Sequence, residues 1–153
     1  MGIALLLHLL AAVVWVGGMF FAYVALRPVA AAQLEPPARL TLWVGVFKKF
    51  FPWVFAAIVT LLLSGYWMVL SFYGGFDAIG MHVHLMMWAG YVMILLFFHV
   101  FFAPFKRLKR AVAAADWPAG AKSLAQIRVL IGINLSIGLV VVAIASGGRY
   151  LLS

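Results

Sequence analysis

Four histidines lie within or beside long apolar runs of this sequence: His8, His82, His84 and His99. No Asp or Glu lies inside those runs and the chain has no Cys, so a carboxylate proton relay and a thiolate metal site are both excluded there. An ionisable group placed in hydrocarbon needs a partner, which makes each histidine a candidate functional residue. The alternative for each is a histidine hydrogen-bonded to a backbone carbonyl. The chemistry that these residues offer is metal ligation by imidazole.

The spacing of the histidines from the nearest cations predicts their depth. His8 lies nineteen residues before Arg27, and His84 lies twenty-two residues before Lys106. At a rise of 1.5 Å per residue these spacings correspond to about 28 Å and about 33 Å. Two histidines at matching depth on different helices are what a b-type haem requires, with His8 and His84 as the iron ligands. His99 lies only seven residues before Lys106, which corresponds to about 10 Å, so it is expected toward the cytoplasmic side.

Further residues fit a haem site between helices. Trp15 is seven residues after His8 and falls on nearly the same helical face, and Gly18 allows either a flat ring or a neighbouring helix to approach closely. Arg149 is a candidate partner for a haem propionate, although a solvated arginine at a helix end accounts for it equally. Asn134 is expected to hydrogen-bond another helix rather than a ligand.

The third apolar run holds a second group of candidate residues. His84, Trp88, Tyr91 and His99 fall along one side of a helix, which is expected to face the interior of the protein. Two copies of His99 would meet only in a homodimer. A rival hypothesis uses Met81, His82 and His84 together with Met86 and Met87, because thioethers and imidazoles are ligands that suit Cu(I). Against it, Met is a common apolar filler in membrane helices.

The elements that carry these residues are long apolar helices. The chain has 153 residues, of which 68% are hydrophobic and 9% charged. Crossing a bilayer takes roughly 20 apolar residues, and four segments qualify: about 3–26, 50–72, 81–105 and 129–151. The sequence therefore predicts an all-α protein made of a single transmembrane domain, residues 1–153, folded as a four-helix bundle.

The basic residues predict how the bundle is oriented. Ten of the eleven Lys and Arg lie in segments 27–49 and 106–128, which the positive-inside rule places in the cytoplasm with both termini outside. The net charge of +8 therefore reports topology and not nucleic-acid binding. A short interfacial helix is expected around Val112–Ala115. Four tryptophans are expected as interfacial anchors: Trp43, Trp53, Trp67 and Trp117.

The first apolar run has a recognisable motif. This run resembles the first helix of the copper resistance protein D (CopD) family in three places: His8-Leu9, Trp15-Val16-Gly17-Gly18-Met19-Phe20 and Arg27-Pro28. The fourth run, with Asn134, Gly138 and Gly148-Arg149-Tyr150, is similar to that family too. In architecture the chain also resembles HemJ-type protoporphyrinogen oxidases and small b-type cytochromes, but its fourth helix has no acidic residue followed closely by Pro. The resemblance implies a haem-binding histidine, carried here to His8, and the CopD name implies copper uptake.

These observations lead to three functional hypotheses. The first is a b-type haem protein of the bacterial inner membrane that transfers electrons, with a periplasmic or quinone redox partner. The alternative is a copper-handling membrane protein without haem, and a further alternative is protoporphyrinogen oxidation of the HemJ type. The lipid bilayer is the expected surrounding in each case, and an oligomer is compatible with all three.

Overall fold

A computed structural model describes residues 1–151, apart from the side chain of Arg149. Within this range the chain is helical and contains no strand. The helices are α1 (Gly2–Phe20), α2 (Arg27–Gln33), α3 (Pro36–Ser71), α4 (Met81–Phe102), α5 (Pro104–Ala113) and α6 (Trp117–Leu151). A π-helix, Phe21–Leu26, joins α1 to α2 without a break, and a 3₁₀ turn, Phe76–Ala78, precedes α4.

Four helical stretches are long and apolar enough to cross a membrane: Gly2–Gln33, Pro36–Ser71, Met81–Ala113 and Trp117–Gly148. The prediction of an all-α membrane protein with four spanning helices is therefore confirmed. An even number of antiparallel helices places residues 1 and 151 at the same end, with the turn 72–80. We call this the terminal end, and the opposite end, with residues 27–49 and 104–128, the basic end.

The helices extend further at the basic end than the sequence predicts. The polar residues of segment 27–49 predict a loop, but α2 and the first part of α3 occupy it, and only Leu34 and Glu35 separate them. Pro36 and Pro37 lie in the first turn of α3, where the missing N–H of proline costs nothing. Polar residues such as Arg39 and Thr41 are compatible with a helix, so polarity alone was a poor indicator of a loop.

The second expected loop, 106–128, is also mostly helical. The interfacial helix expected around Val112–Ala115 is instead α5, which buries Phe105 and Leu108 and exposes three of its four cations. The chain reverses at Ala115, whose φ of 53° is left-handed. The first turn of α6 is then capped by Asp116, whose side-chain oxygen accepts the Ala119 N–H at 3.3 Å.

The bundle is built from two closely packed groups. α1 packs along α3, while α4 and α5 pack along α6. Aromatic side chains join the two groups towards the basic end: Phe47, Phe51, Phe97, Phe101 and Phe105. The ring of Phe51 lies 5.2 Å from that of Phe97 and 4.9 Å from that of Phe105, both edge to face. This aromatic core fixes α3 against the group that contains α4.

The tryptophans divide between surface and core. Trp53 and Trp67 are exposed, as interfacial anchors should be, and Trp117 is half-buried. Trp43 is 5% exposed and its ring lies 5.2 Å from that of Phe47. The expectation that Trp43 anchors the chain at the membrane interface is therefore wrong, because α3 continues past it and turns it into the bundle.

Candidate functional site

His8 is half-buried on the side of α1 that packs against α3. Its Nδ1 lies 2.9 Å from Ser64 Oγ, and the Ser64 hydroxyl lies 2.5 Å from the Thr60 carbonyl oxygen. Because Ser64 has one hydroxyl proton and donates it to that carbonyl, its oxygen accepts the His8 Nδ1–H. The neutral ring then carries its proton on Nδ1 and a free lone pair on Nε2. This is the tautomer in which an imidazole can bind a metal ion through Nε2.

Two small residues of α3 make room for the His8 ring. A Cβ added at Gly65 would lie 3.5 Å from His8 Cε1, so the ring rests directly against the α3 backbone. Ser64 is buried beside it. Sequence reasoning missed Ser64, although a hydroxyl inside an apolar run is the kind of group that bonds between membrane helices.

The first turns of α4 carry the remaining candidate ligands. Met81 is 67% exposed, whereas His82 and His84 are half-buried. The His82 side chain rests on α6, where a Cβ added at Gly148 would lie 3.1 Å from His82 Cβ. Helical spacing places Met81 and His84 one turn apart on one face, and His82 and Met86 one turn apart on another. The start of α4 thus has two places where an imidazole and a thioether are one turn apart in the sequence, which we call the imidazole–thioether pairs.

The side of α4 that was expected to face the interior does not do so throughout. Trp88 is 68% exposed, and His99 is exposed as well. That expectation is wrong for both residues, because the face of α4 that packs in the bundle carries Met93, Phe97 and Val100 instead. His99 therefore lies on the outer surface of the bundle.

Trp15 and Gly18 serve helix packing. Trp15 is buried, with its ring 6.3 Å from that of Phe97 across the bundle. Gly18 faces the ring of Phe50, which occupies the space that a Cβ there would need. Of the two explanations for Gly18, the close approach of a neighbouring helix is the one that the structure shows.

Two polar contacts tie the helices together near the candidate residues. Asn134 on α6 is buried and its Nδ2 donates to the Met93 carbonyl at 3.2 Å, so its expected role as a bond between helices is confirmed. Its Oδ1 is buried without a hydrogen-bond partner. The hydroxyls of Tyr66 and Tyr91 hydrogen-bond each other between α3 and α4. Sequence reasoning did not pair these tyrosines, because their positions do not reveal which helices are neighbours.

The structure leaves the haem assignment as a prediction. The described residues include no group of three or more His, Cys, Asp or Glu that could hold a metal ion. The hydrogen bond of His8 runs to α3, and the pairing of His8 with His84 stays a prediction. The side chain of Arg149, the expected propionate partner, lies outside the described residues.

Comparisons with known proteins identify a family for this chain. Neither the curated proteins nor the solved structures contain a significant match to this chain. The family described as copper resistance protein D matches residues 44–147, about two thirds of the chain. The match covers most of α3, all of α4 and α5, and most of α6, and the motif from His8 to Pro28 lies outside it. The suggested similarity to HemJ-type oxidases and small b-type cytochromes is not shown. On the extent of this match, the chain belongs to the copper resistance protein D family.

Proposed function

We propose that this protein handles copper, and that it binds Cu(I) at the terminal end of its bundle. The observation that carries the proposal is the spacing at the start of α4, which places Met81 one helical turn from His84 and Met86 one turn from His82. Thioether sulfur and imidazole nitrogen are ligands that select Cu(I) over hard cations. Membership of the copper resistance protein D family supports the same chemistry.

The two pairs suit an ion that is cargo and not a resident cofactor. Each pair offers one nitrogen and one sulfur, and Cu(I) accepts as few as two ligands. The exposed Met81 is accessible from outside the bundle, whereas His84 is half-buried. An ion first held by Met81 can therefore pass to His84 without leaving the helix surface.

His8 adds a third imidazole at the same end of the bundle. Its Nε2 has a free lone pair because Ser64 and Thr60 fix the ring proton on Nδ1. This preparation of the ring is the reason to include His8 among the copper ligands. A haem iron would use the same lone pair, but the family match supports copper handling and not haem binding.

We also propose a location, which the charges at the opposite end support. Ten cations lie at the basic end, and the positive-inside rule places that end in the cytoplasm. We therefore assign the protein to the bacterial inner membrane as a multi-pass protein that takes copper from the outer side. Cations at the basic end repel a copper ion that approaches from the cytoplasm.

The test is a Cu(I) titration of the purified protein in detergent, against a chromogenic Cu(I) chelator that competes for the ion. We expect His84→Ala and Met81→Leu to lower the affinity by tenfold or more, because each removes one of two ligands. His99→Ala is the matched control, since it removes an exposed imidazole from the other end of α4. Equal affinities in the wild type, His84→Ala and His82→Ala would overturn the assignment.

An absorption spectrum of the same preparation distinguishes copper from haem. The copper proposal predicts no Soret band after reduction with dithionite. A sharp Soret band that is lost in both His8→Ala and His84→Ala would replace copper with a haem held by these two residues.

A further inference from the structure

A cavity of about 270 Å³ opens at the basic end, between the π-helix and α2 on one side and α3 and α6 on the other. Its walls are mostly apolar and include Tyr23, Trp43, Phe47 and Ile131. Sites that enclose a whole small molecule usually measure roughly 300–1,000 Å³. This cavity is therefore suited to take part of a longer molecule whose remainder lies outside it.

Three arginines from three different parts of the chain line this cavity: Arg27, Arg39 and Arg128. None of the other residues that line it is a carboxylate. Because each guanidinium carries a full positive charge, the cavity has three charges that its own walls do not balance. We call this feature the arginine cavity.

Local contacts hold two of the arginines at the rim and leave donors free. Arg27 donates from Nε to the Tyr23 carbonyl at 3.2 Å, and its guanidinium lies 4.6 Å from the centre of the Tyr23 ring. Arg39 donates one hydrogen bond to the Leu34 carbonyl at 3.4 Å. A guanidinium has five N–H donors, so both retain donors for a ligand. The Tyr23 ring is fixed in turn against α6, where a Cβ added at Gly132 would lie 3.1 Å from Tyr23 Cε2.

We propose that the arginine cavity binds an anionic phospholipid, with the lipid phosphate at the three arginines and the start of an acyl chain along the apolar wall. The combination of unbalanced guanidinium groups and apolar walls requires a ligand that is both anionic and apolar. Arg27 lies where the first apolar run ends, which is the depth of lipid headgroups. Basic pockets between helices on the cytoplasmic side bind lipid headgroups in this way. A free phosphate would use the arginines but not the walls.

The inference goes beyond copper handling and does not depend on it. The arginine cavity is at the opposite end of the bundle from the copper ligands, and a lipid measurement needs no metal. Failure of the copper titration would therefore leave this proposal intact, and the reverse also holds.

The test is native mass spectrometry of the purified protein in detergent, with added phosphatidylglycerol, phosphatidylcholine or inorganic phosphate. We expect phosphatidylglycerol to bind at least tenfold more tightly than phosphatidylcholine, and inorganic phosphate not to compete at equal concentration. The triple variant Arg27→Gln, Arg39→Gln, Arg128→Gln should lose this preference. Removing one arginine should cost about tenfold in affinity, since hydrogen bonds to charged groups are among the stronger ones.

Two further variants keep the result interpretable. The first is a triple lysine variant, Lys48→Gln, Lys49→Gln, Lys122→Gln. It removes the same amount of charge from residues outside the cavity lining, and should keep the preference for phosphatidylglycerol. Ala125→Phe fills the cavity without removing a charge, and should abolish lipid retention even if the triple arginine variant does not fold. Equal binding of the two lipids, or full retention in Ala125→Phe, would overturn the proposal. Competition by inorganic phosphate would assign the arginines to a free anion.

Discussion

Two adjacent glycines of α1 provide a direct test of how this bundle packs. Gly17 and Gly18 lie in the same helix, so replacing either with Ala brings the same gain in helix propensity, up to about 1 kcal/mol. Their surroundings differ, because a Cβ at Gly17 meets no atom within 4 Å, whereas a Cβ at Gly18 meets the ring of Phe50. Overpacking of this kind typically costs about 1–3 kcal/mol.

We therefore expect Gly18→Ala to be about 1–3 kcal/mol less stable than Gly17→Ala, with Gly17→Ala at or above the wild type. The assay is reversible unfolding of the purified protein in mixed micelles, followed by circular dichroism. Phe50→Ala provides the matched control, because removing the ring should make the two alanine variants equal. Equal stabilities with Phe50 in place would show that the ring swings away freely, and would refute the close packing of α1 on α3.

Three further predictions concern other contacts. Ser64→Ala should destabilise the protein by about 0.6–1 kcal/mol in the same unfolding assay, since it removes the hydrogen bond to His8. Nitrogen NMR of the His8 ring in the wild type should show the proton on Nδ1, and a proton on Nε2 would contradict this. The free energy of unfolding of Asn134→Leu should be within about 1 kcal/mol of the wild-type value, because the substitution removes an unpaired buried oxygen along with one hydrogen bond. A loss of stability above about 3 kcal/mol would mean that Asn134 Oδ1 has a partner. Reporter fusions at Ala119 and Ser153 should report the cytoplasm and the outer side respectively, and a cytoplasmic result at both would refute the orientation.

The sequence predicts the number and type of the helices well, because span length depends only on apolar composition. The prediction fails at the basic end, where polar residues such as Arg39 and Thr41 indicate a loop but are helical. Polarity indicates contact with water or headgroups and does not indicate whether the backbone is helical. α3 and α6 therefore begin well before residues 50 and 129, where the predicted spans start.

The candidate ligands could be found from residue type, but their surroundings could not. Depth along the helix singled out His8 and His84, whereas the partner of His8 depends on which helices are neighbours and how each is rotated. Ser64, which contacts His8, and Phe50, which contacts Gly18, both lie on α3, and the spacing of residues in α1 does not predict either contact. The same limitation explains why His99 was expected inside the bundle and lies on its surface.

The helical character of the basic end has a consequence for proteolysis. Nine Lys and Arg residues at that end are potential trypsin sites, because Pro28 blocks cleavage after Arg27, and every one lies within a helix: 39, 48, 49, 106, 107, 109, 110, 122 and 128. A protease cleaves an extended backbone, so each cut requires local unfolding of a helix first. α3, with 36 residues, is about 54 Å long, so this end extends well beyond roughly 30 Å of hydrocarbon unless the helix tilts strongly. Membrane vesicles with this end exposed should therefore resist trypsin, despite a sequence that is rich in cleavage sites.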